Sequence, residues 1–325
     1  MPDIRCKFHG FPPGSGIQNT THRQRLSSVL NVGKAELIAA AKRSGAVLTV
    51  SDVLKRSPSD LAWRDSICRF ALVDSGTCWA RASSHESLDG TEKAFHSYFI
   101  GQVMASLVSS RVFDFGFLLH YDSYLKNGSP QLNPKDIRGE RPDLVGYDPQ
   151  TEEFIIIEAK GYKTSITRPA QQIKGVSSNP SNYQKRVKYV ITMASFSRAG
   201  WEVDVYDPCP PSFPLPSPAE LIGLYYAQLV VNGGFLESQS ARSSKSRVVL
   251  RDTGNDATIS LPCEIVAITQ RGLDASRNMT RNPSLLDEIG KELISFLDIT
   301  PHLGMFENRY NRYIGVDGLE VRVNE

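Results

Sequence analysis

The sequence has no long hydrophobic run, and this absence limits the class of protein that it encodes. Apolar stretches such as Phe154–Ile157 have the length of a strand, whereas a membrane-spanning helix needs about 20 consecutive apolar residues. The first 16 residues (MPDIRCKFHGFPPGSG) also lack the continuous apolar segment of a secretory signal. We therefore expect a protein of a cytoplasm-like compartment, without a membrane partner.

Cysteine is scarce as well. The chain has 5 cysteines in 325 residues, they are scattered, and no two of them form a Cys-x-x-Cys pair. An odd number without metal-ligand spacing argues against a disulfide framework and against a structural zinc site. No internal repeat is visible either, which argues against solenoids and propellers.

Net charge is close to zero, but the charges are unevenly distributed. The formal net charge is +2, and the first 56 residues carry nine Lys or Arg against Asp3, Glu36 and Asp52. From Ala159 to Trp201 there is no acidic residue. Such asymmetry favours a polyanion lying across one face, the alternative being a merely solvated basic surface. The basic residues of this second stretch are Lys160, Lys163, Arg168, Lys174, Lys185, Arg186, Lys188 and Arg198.

Apolar periodicity divides the chain into four regions. Residues 1–85 are predicted to be mostly helical, and the stretches around Gly33 and Gly45 are compatible with a DNA-binding helix-turn-helix or with plain helical packing. Residues 86–206 combine a helix over 90–110 with strands over 112–121, 142–147, 153–160, 187–194 and 201–206, the last as an edge strand. Six prolines make 207–218 a linker or a wrapping segment. Residues 219–325 are predicted to form a small α+β lobe with a terminal hairpin at Asp317-Gly318.

Two of the predicted strands place acidic and basic side chains together. Asp143 begins one strand, residues 148–151 form a turn, and Glu158 lies near the end of the next strand. Both carboxylates can then reach one divalent ion, since Mg²⁺ is held by carboxylates, water and phosphate oxygens. Lys160 shares the strand face of Glu158, where its ammonium can orient water and offset transition-state charge. The carbonyl of Ala159 can supply a further metal oxygen.

A structural explanation of the same residues stays open. In that alternative, Glu158 and Lys160 form a solvated ion pair at a strand end, and Asp143 caps a turn.

Arg141-Pro-Asp143 followed by Ile155-Ile-Ile-Glu-Ala-Lys160-Gly resembles the PD-(D/E)xK nuclease superfamily over roughly residues 90–206. The resemblance implies an α/β, restriction-endonuclease-like fold, in which a mixed β-sheet core is flanked by helices. It also implies Asp143 and Glu158 as metal ligands and Lys160 as the catalytic lysine. Many members add an acidic residue from the preceding helix, for which Glu92 is the candidate; the alternative for Glu92 is a first-turn acid favoured by the helix dipole.

RecB-type and Mrr-type members of that superfamily carry a glutamine on the helix after the lysine strand. Gln171 or Gln172 lies at the matching position, and Gln172 is the candidate site residue. For both glutamines, the alternative is a place on an exposed helix face.

Together, these features predict a Mg²⁺-dependent DNA endonuclease in which Mn²⁺ substitutes for Mg²⁺. Its expected nucleic-acid contacts are Lys163, Arg168, Lys174, Lys185, Arg186 and Lys188. Double-strand cutting needs two sites, which is compatible with a homodimer or with partner subunits of a larger complex. Two alternatives remain: a catalytically silent DNA-binding or assembly module of a defence or recombination system, and a nuclease that acts on RNA.

Overall fold

The computed structural model describes residues 1–9, 29–44, 59–127, 141–162, 187–197, 200–207, 215–232, 247–251, 257–278, 284–299, 307–315 and 317–323. Helices in these ranges are α1 (Lys34–Arg43), α2 (Ser59–Ala71), α3 (Ser83–Glu86), α4 (Gly90–Val112), α5 (Tyr121–Asn127), α6 (Pro218–Asn232), α7 (Cys263–Asn278) and α8 (Ser284–Ile299). Strands are β1 (Asp3–His9), β2 (Val29–Asn31), β3 (Leu72–Asp74), β4 (Trp79–Arg81), β5 (Phe117–His120), β6 (Leu144–Asp148), β7 (Glu153–Lys160), β8 (Val187–Ser197), β9 (Gly200–Tyr206), β10 (Arg247–Arg251), β11 (Ala257–Pro262), β12 (Glu307–Arg309), β13 (Arg312–Ile314) and β14 (Glu320–Val323).

The larger sheet is mixed and has helices on both faces. Its seven strands follow the order β2-β1-β9-β8-β7-β6-β5. Strands β5, β6 and β7 are antiparallel neighbours, β8 is parallel to β7, and β1 is parallel to β9. The protein is therefore a mixed α/β protein, as the sequence predicts.

Strand β7 lies inside this sheet and is apolar on both faces. Ile155 and Ile157 belong to the core that α4 covers, whereas Phe154 and Ile156 belong to the core that α6 covers. Two-sided burial explains the unbroken apolar run, because neither face of a central strand meets water. Glu158, at the end of this apolar run, is an acidic residue that is also buried.

Helix α4 begins where the sequence predicts and continues to Val112. The side chain of Asp89 accepts hydrogen bonds from the backbone N–H groups of Thr91 and Glu92, and the Glu92 side chain accepts one from the backbone of Asp89. This capping box satisfies N–H groups that have no partner in the first turn of a helix. Further along, α4 buries the apolar residues Phe99, Ile100, Val103, Met104 and Leu107 against the sheet.

The C-terminal lobe packs on the same core instead of standing apart. Its five-stranded antiparallel sheet has the order β10-β11-β14-β13-β12. Ile259 and Val321 from this sheet share one hydrophobic cluster with Phe117 and Ile156 of the larger sheet. Helix α6 contributes Tyr225 and other residues to that cluster and so joins the two sheets.

A buried ion pair ties α1 to the C-terminal sheet. Arg43 donates from Nε to Oδ2 of Asp317 at 2.9 Å and from Nη2 to Oδ1 at 2.5 Å. The guanidinium also donates to the hydroxyl of Tyr313 at 2.8 Å, and the hydroxyl of Tyr225 donates to Asp317. These contacts satisfy both charges inside the protein, which is the condition for tolerating a buried pair.

The structure differs from the prediction for three strands of the larger sheet, namely β1, β2 and β9. Residues 1–85 include β1 and β2, although the sequence predicted mostly helix there, and Val29–Asn31 is a strand where a helical stretch was expected. The segment 201–206 was predicted to be an edge strand, and this is wrong. Strand β9 lies between β8 and β1, because residues 197 positions earlier in the chain pair with it.

Replacing Arg43 with Met is expected to lower the free energy of unfolding by about 3–5 kcal/mol, because Asp317 is then left buried without its cation. Urea denaturation measures the change. The matched control is Arg81→Met, which removes an exposed ion pair with Glu86 and should cost about 1 kcal/mol or less. Equal effects of the two substitutions would contradict the structural role of the buried pair.

Candidate active site

Two glycines bring α4 directly against the end of β7. A Cβ atom at Gly161 would overlap the carbonyl oxygen of Ser97, and one at Gly101 would lie 2.6 Å from the backbone nitrogen of Gly161. The helix and the chain leaving the strand therefore touch through their backbones. This contact places the middle of α4 beside Lys160.

The hairpin register places Asp143 beside Glu158. Leu144 pairs with Ile157, so the next step of the antiparallel ladder sets Asp143 opposite Glu158. Strand β6 begins at Leu144, and Oδ2 of Asp143 accepts a hydrogen bond from the backbone N–H of Ala159 at 2.8 Å. The carboxylate thus takes the place of the missing strand partner.

Lys160 completes this cluster. Its Nζ donates to Oε1 of Glu158, as expected for two side chains on the same face of a strand. Glu158 is 1 % exposed and the Lys160 side chain is 19 % exposed. The three residues that the sequence singled out therefore converge, with the lysine nearest to solvent.

The two acidic groups lie opposite one another at the end of the hairpin, where burial disfavours a charged Asp143. Burial raises the pKa of the Asp143 carboxyl above its usual value, although the N–H of Ala159, the charge of Lys160 and a hydrogen bond with Glu158 act in the opposite direction. The two carboxyl groups together offer hard oxygen donors to a divalent cation.

Three polar side chains that the sequence did not single out for the site lie next to the acids. Gln102 Nε2 donates to the hydroxyl of Tyr98 at 2.6 Å, and that hydroxyl lies 3.1 Å from Nε2 of His120. Burial raises the pKa of Tyr98, and the charges of Asp143 and Glu158 raise it further. The i, i+4 spacing of Tyr98 and Gln102 on a predicted helix was the available signal, whereas the position of His120 depends on the pairing of β5 with β6.

Glu92 does not join the cluster. Its side chain closes the capping box at Asp89, and six residues separate it from Tyr98, which corresponds to about 9 Å along a helix. Within the described ranges no three His, Cys, Asp or Glu side chains lie close enough together to hold a metal ion. The structure therefore supports the first-turn alternative for Glu92.

Lys188 also lies away from the acids. It pairs with Ile155 in the sheet, so it occupies the face opposite to Glu158, and its Nζ contacts Oε2 of Glu153 at 2.5 Å. The other predicted nucleic-acid contacts and both glutamines lie outside the described residues. These are Lys163, Arg168, Lys174, Lys185, Arg186, Gln171 and Gln172.

Strand β1 adds basic residues to the face that carries the acids. One row of the sheet runs from Lys160 through Met193 and Asp204 to Lys7. His9 lies on the same face as Lys7, with Nε2 2.7 Å from Oδ1 of Asp204, and the Lys7 side chain is largely exposed. The N-terminal strand thus adds Lys7 and His9 to the face of Lys160, in agreement with the basic N-terminal region of the sequence, and there Lys7 pairs with Glu202 and His9 with Asp204.

Comparisons with protein-family models, with curated proteins and with solved structures found no significant match to this chain. Among the helices within the described ranges, none combines the length and the apolar character needed to cross a membrane.

Substituting Gly161 with Ala is expected to lower the free energy of unfolding by about 1–3 kcal/mol, because the new methyl group collides with the backbone of Ser97. The control is Gly90→Ala at the start of α4, where an added Cβ meets no atom within 4 Å. Urea denaturation of both variants measures the difference. Unchanged stability of Gly161→Ala would mean that α4 and β7 are not in backbone contact.

The raised pKa of Asp143 predicts that Asp143→Asn is more stable than the wild type when no divalent cation is present. A carboxyl whose pKa is higher in the folded than in the unfolded protein contributes stability at low pH, and this contribution is lost as the pH rises through the raised pKa. Asn keeps the hydrogen bond from Ala159 without a charge. In EDTA, its advantage in Tm should therefore grow from about pH 4 to about pH 8.

Thermal melts with Mg²⁺ test whether Asp143 binds a divalent cation. A cation that binds the folded state should raise the Tm of the wild type and leave Asp143→Asn unchanged. Glu292→Gln, an exposed carboxylate on α8, is the control and should respond to Mg²⁺ as the wild type does. A pH-independent difference between wild type and Asp143→Asn would contradict the assigned cost of burial.

Proposed function

We propose that this protein is a divalent-metal-dependent nuclease with a restriction-endonuclease-like core, cutting phosphodiester bonds in DNA. The observation that carries the proposal is the convergence of Asp143, Glu158 and Lys160 at one end of a buried hairpin. The mixed sheet with α4 packed behind that hairpin supports the fold assignment. The resemblance of the Pro-Asp and Glu-Ala-Lys motifs gives the reaction class.

The donor set fits Mg²⁺ or Mn²⁺. Asp143 and Glu158 offer hard carboxylate oxygens, and Mg²⁺ commonly takes one or two carboxylates together with water and phosphate oxygens. The N–H and C=O of one strand residue point to the same side. Because the N–H of Ala159 points to Asp143, its carbonyl faces the same edge and is available as a third oxygen. When bound, the metal would polarise the phosphate and lower the pKa of a water.

Lys160 has the position needed for two tasks. Its ammonium lies beside Glu158 at the solvent-facing end of the cluster, where it can orient a water molecule by hydrogen bonding. The same positive charge offsets the negative charge that develops on the phosphate oxygens in the transition state. Burial of the acids strengthens both effects, since charges interact more strongly where water is excluded.

Binding of the polyanion would use the face that carries Lys160. Lys7 and His9 extend that face across the sheet, and the basic segment after Lys160 returns to β8. Phosphate contacts of this kind position a nucleic acid without reading its sequence. Selection of a particular site or structure then falls to other parts of the molecule.

Cleavage of supercoiled plasmid with Mg²⁺ or Mn²⁺ tests the proposal. Asp143→Asn and Lys160→Met should each lower the cleavage rate by about 100-fold or more, because each removes a charge that acts on the transition state. The control is Lys291→Met, which removes an exposed lysine paired with Asp287 on α8 and should cut like the wild type. An RNA of the same sequence, run in parallel, decides between deoxyribose and ribose substrates.

Binding measured by fluorescence anisotropy separates the alternatives. Retained DNA binding by the two inactive variants supports a nuclease whose site has been correctly placed. Tight binding by a wild type that cuts with neither metal would instead identify a DNA-binding or assembly module. Equal cutting by all of the variants would place the active site elsewhere.

A further inference from the structure

Helices α2 and α4 expose four large aromatic side chains, and three of them form a group that begins at Tyr98, beside the acids; the fourth is Phe70. Trp63, Phe95 and Tyr98 are 37 %, 51 % and 45 % exposed, and they are called the aromatic ridge below. Phe95 and Tyr98 are one helical turn apart, about 4.5 Å along the axis of α4. The ring centroid of Trp63 lies 6.0 Å from that of Phe95, with the two planes inclined by 27°.

The ridge is held in place from behind. The ring of Trp63 packs 5.5 Å from that of Phe99, a buried residue of α4, and the guanidinium of Arg64 lies 5.5 Å from the Trp63 ring centroid. Gln102 and His120 fix the hydroxyl of Tyr98. The rings are therefore held by neighbouring side chains and remain partly exposed to solvent.

The ridge begins at the candidate active site. Tyr98 follows Ser97, whose backbone contacts Gly161, and its hydroxyl lies 3.1 Å from Nε2 of His120, so the innermost ring lies beside the strand end that carries the acids. Tyr162, another exposed aromatic residue, follows the glycine that contacts Ser97. A polymer held at the acids would thus continue over Tyr98, then Phe95, then Trp63.

Aromatic rings in this arrangement suit one kind of ligand above others. Successive unpaired bases stack on exposed rings, and this stacking tolerates any sequence because every base has a π-face. In an intact duplex the base faces are stacked on one another and cannot meet a protein ring.

We propose that the aromatic ridge is a stacking platform for unpaired nucleotides, and that the substrate of the site is single-stranded or locally unpaired nucleic acid. The inference rests on the proposed function for the class of polymer and adds the strand state that the polymer must have. It assigns Phe95 and Trp63 to substrate binding and gives them no part in the chemical step.

Tryptophan fluorescence gives a direct readout of the platform. The chain has three tryptophans, and Trp79 and Trp201 are only 4 % and 0 % exposed, so quenching by a ligand reports on Trp63. The experiment titrates Asp143→Asn in EDTA with a single-stranded oligodeoxythymidine and, separately, with a blunt DNA duplex. Single strands should quench the emission strongly, the duplex should quench it weakly, and adding Trp63→Phe should remove most of the change.

Affinity measured by anisotropy in the same background tests Phe95. Loss of one stacked base contact corresponds to about 5- to 100-fold weaker binding, which is expected for Phe95→Leu with single strands. Leu keeps an apolar side chain at this exposed position, so folding is preserved. The matched control is Tyr310→Leu, an exposed aromatic residue in the turn after β12, which should bind as the parent does.

The outcomes separate this inference from the proposed function, because none of these titrations requires cleavage. Single-strand binding that is unchanged in Trp63→Phe and Phe95→Leu, or equal quenching by duplex, would overturn the platform even if the wild type cuts DNA. Specific quenching by single strands in a protein that never cuts would keep the platform and refute the nuclease.

Discussion

The hydrogen bond from the backbone of Ala159 to the carboxylate of Asp143 is the contact on which the site depends. Strand β6 begins two residues too late to serve Ala159, and the acidic side chain supplies the missing acceptor. A backbone donor buried in a sheet must be satisfied, so this bond fixes the position of the carboxylate. The same pairing sets Asp143 opposite Glu158. The pairing of β6 with β7 therefore determines both the register of the hairpin and the positions of the two acids.

This placement makes the charged form of Asp143 unfavourable, and a bound cation would relieve that unfavourable charge. Burial raises the pKa of Asp143, and the charge of Lys160 offsets only part of this effect. Groups whose pKa values are shifted by burial and by a neighbouring charge are often found at functional sites. The backbone contact between Gly101 and Gly161 brings Tyr98 to the same place. Helix, strand end and acids thus form one rigid unit.

Contacts outside the site hold the two sheets and α1 together. The buried pair of Arg43 and Asp317 joins α1 to the C-terminal sheet, and the cluster around α6 fills the space between the two sheets. Strand β1 extends the larger sheet and carries Lys7 and His9 onto the face of Lys160. The two ends of the chain therefore contribute to one body. Because β1 pairs with β9, Lys7 and His9 lie on the same sheet face as Lys160 and Glu158.

The sequence by itself determined what depends on neighbouring residues. The apolar run before Glu158, the turn at 148–151 and the capped helix after Asp89 are local patterns, and they fixed the hairpin, the helix and the convergence of three side chains. Only the tertiary structure decided the neighbours of β9 and the position of Tyr98 beside the acids. Pairing between strands far apart in the chain leaves no trace in local periodicity, because it depends on which surfaces remain to be buried once the local elements have formed.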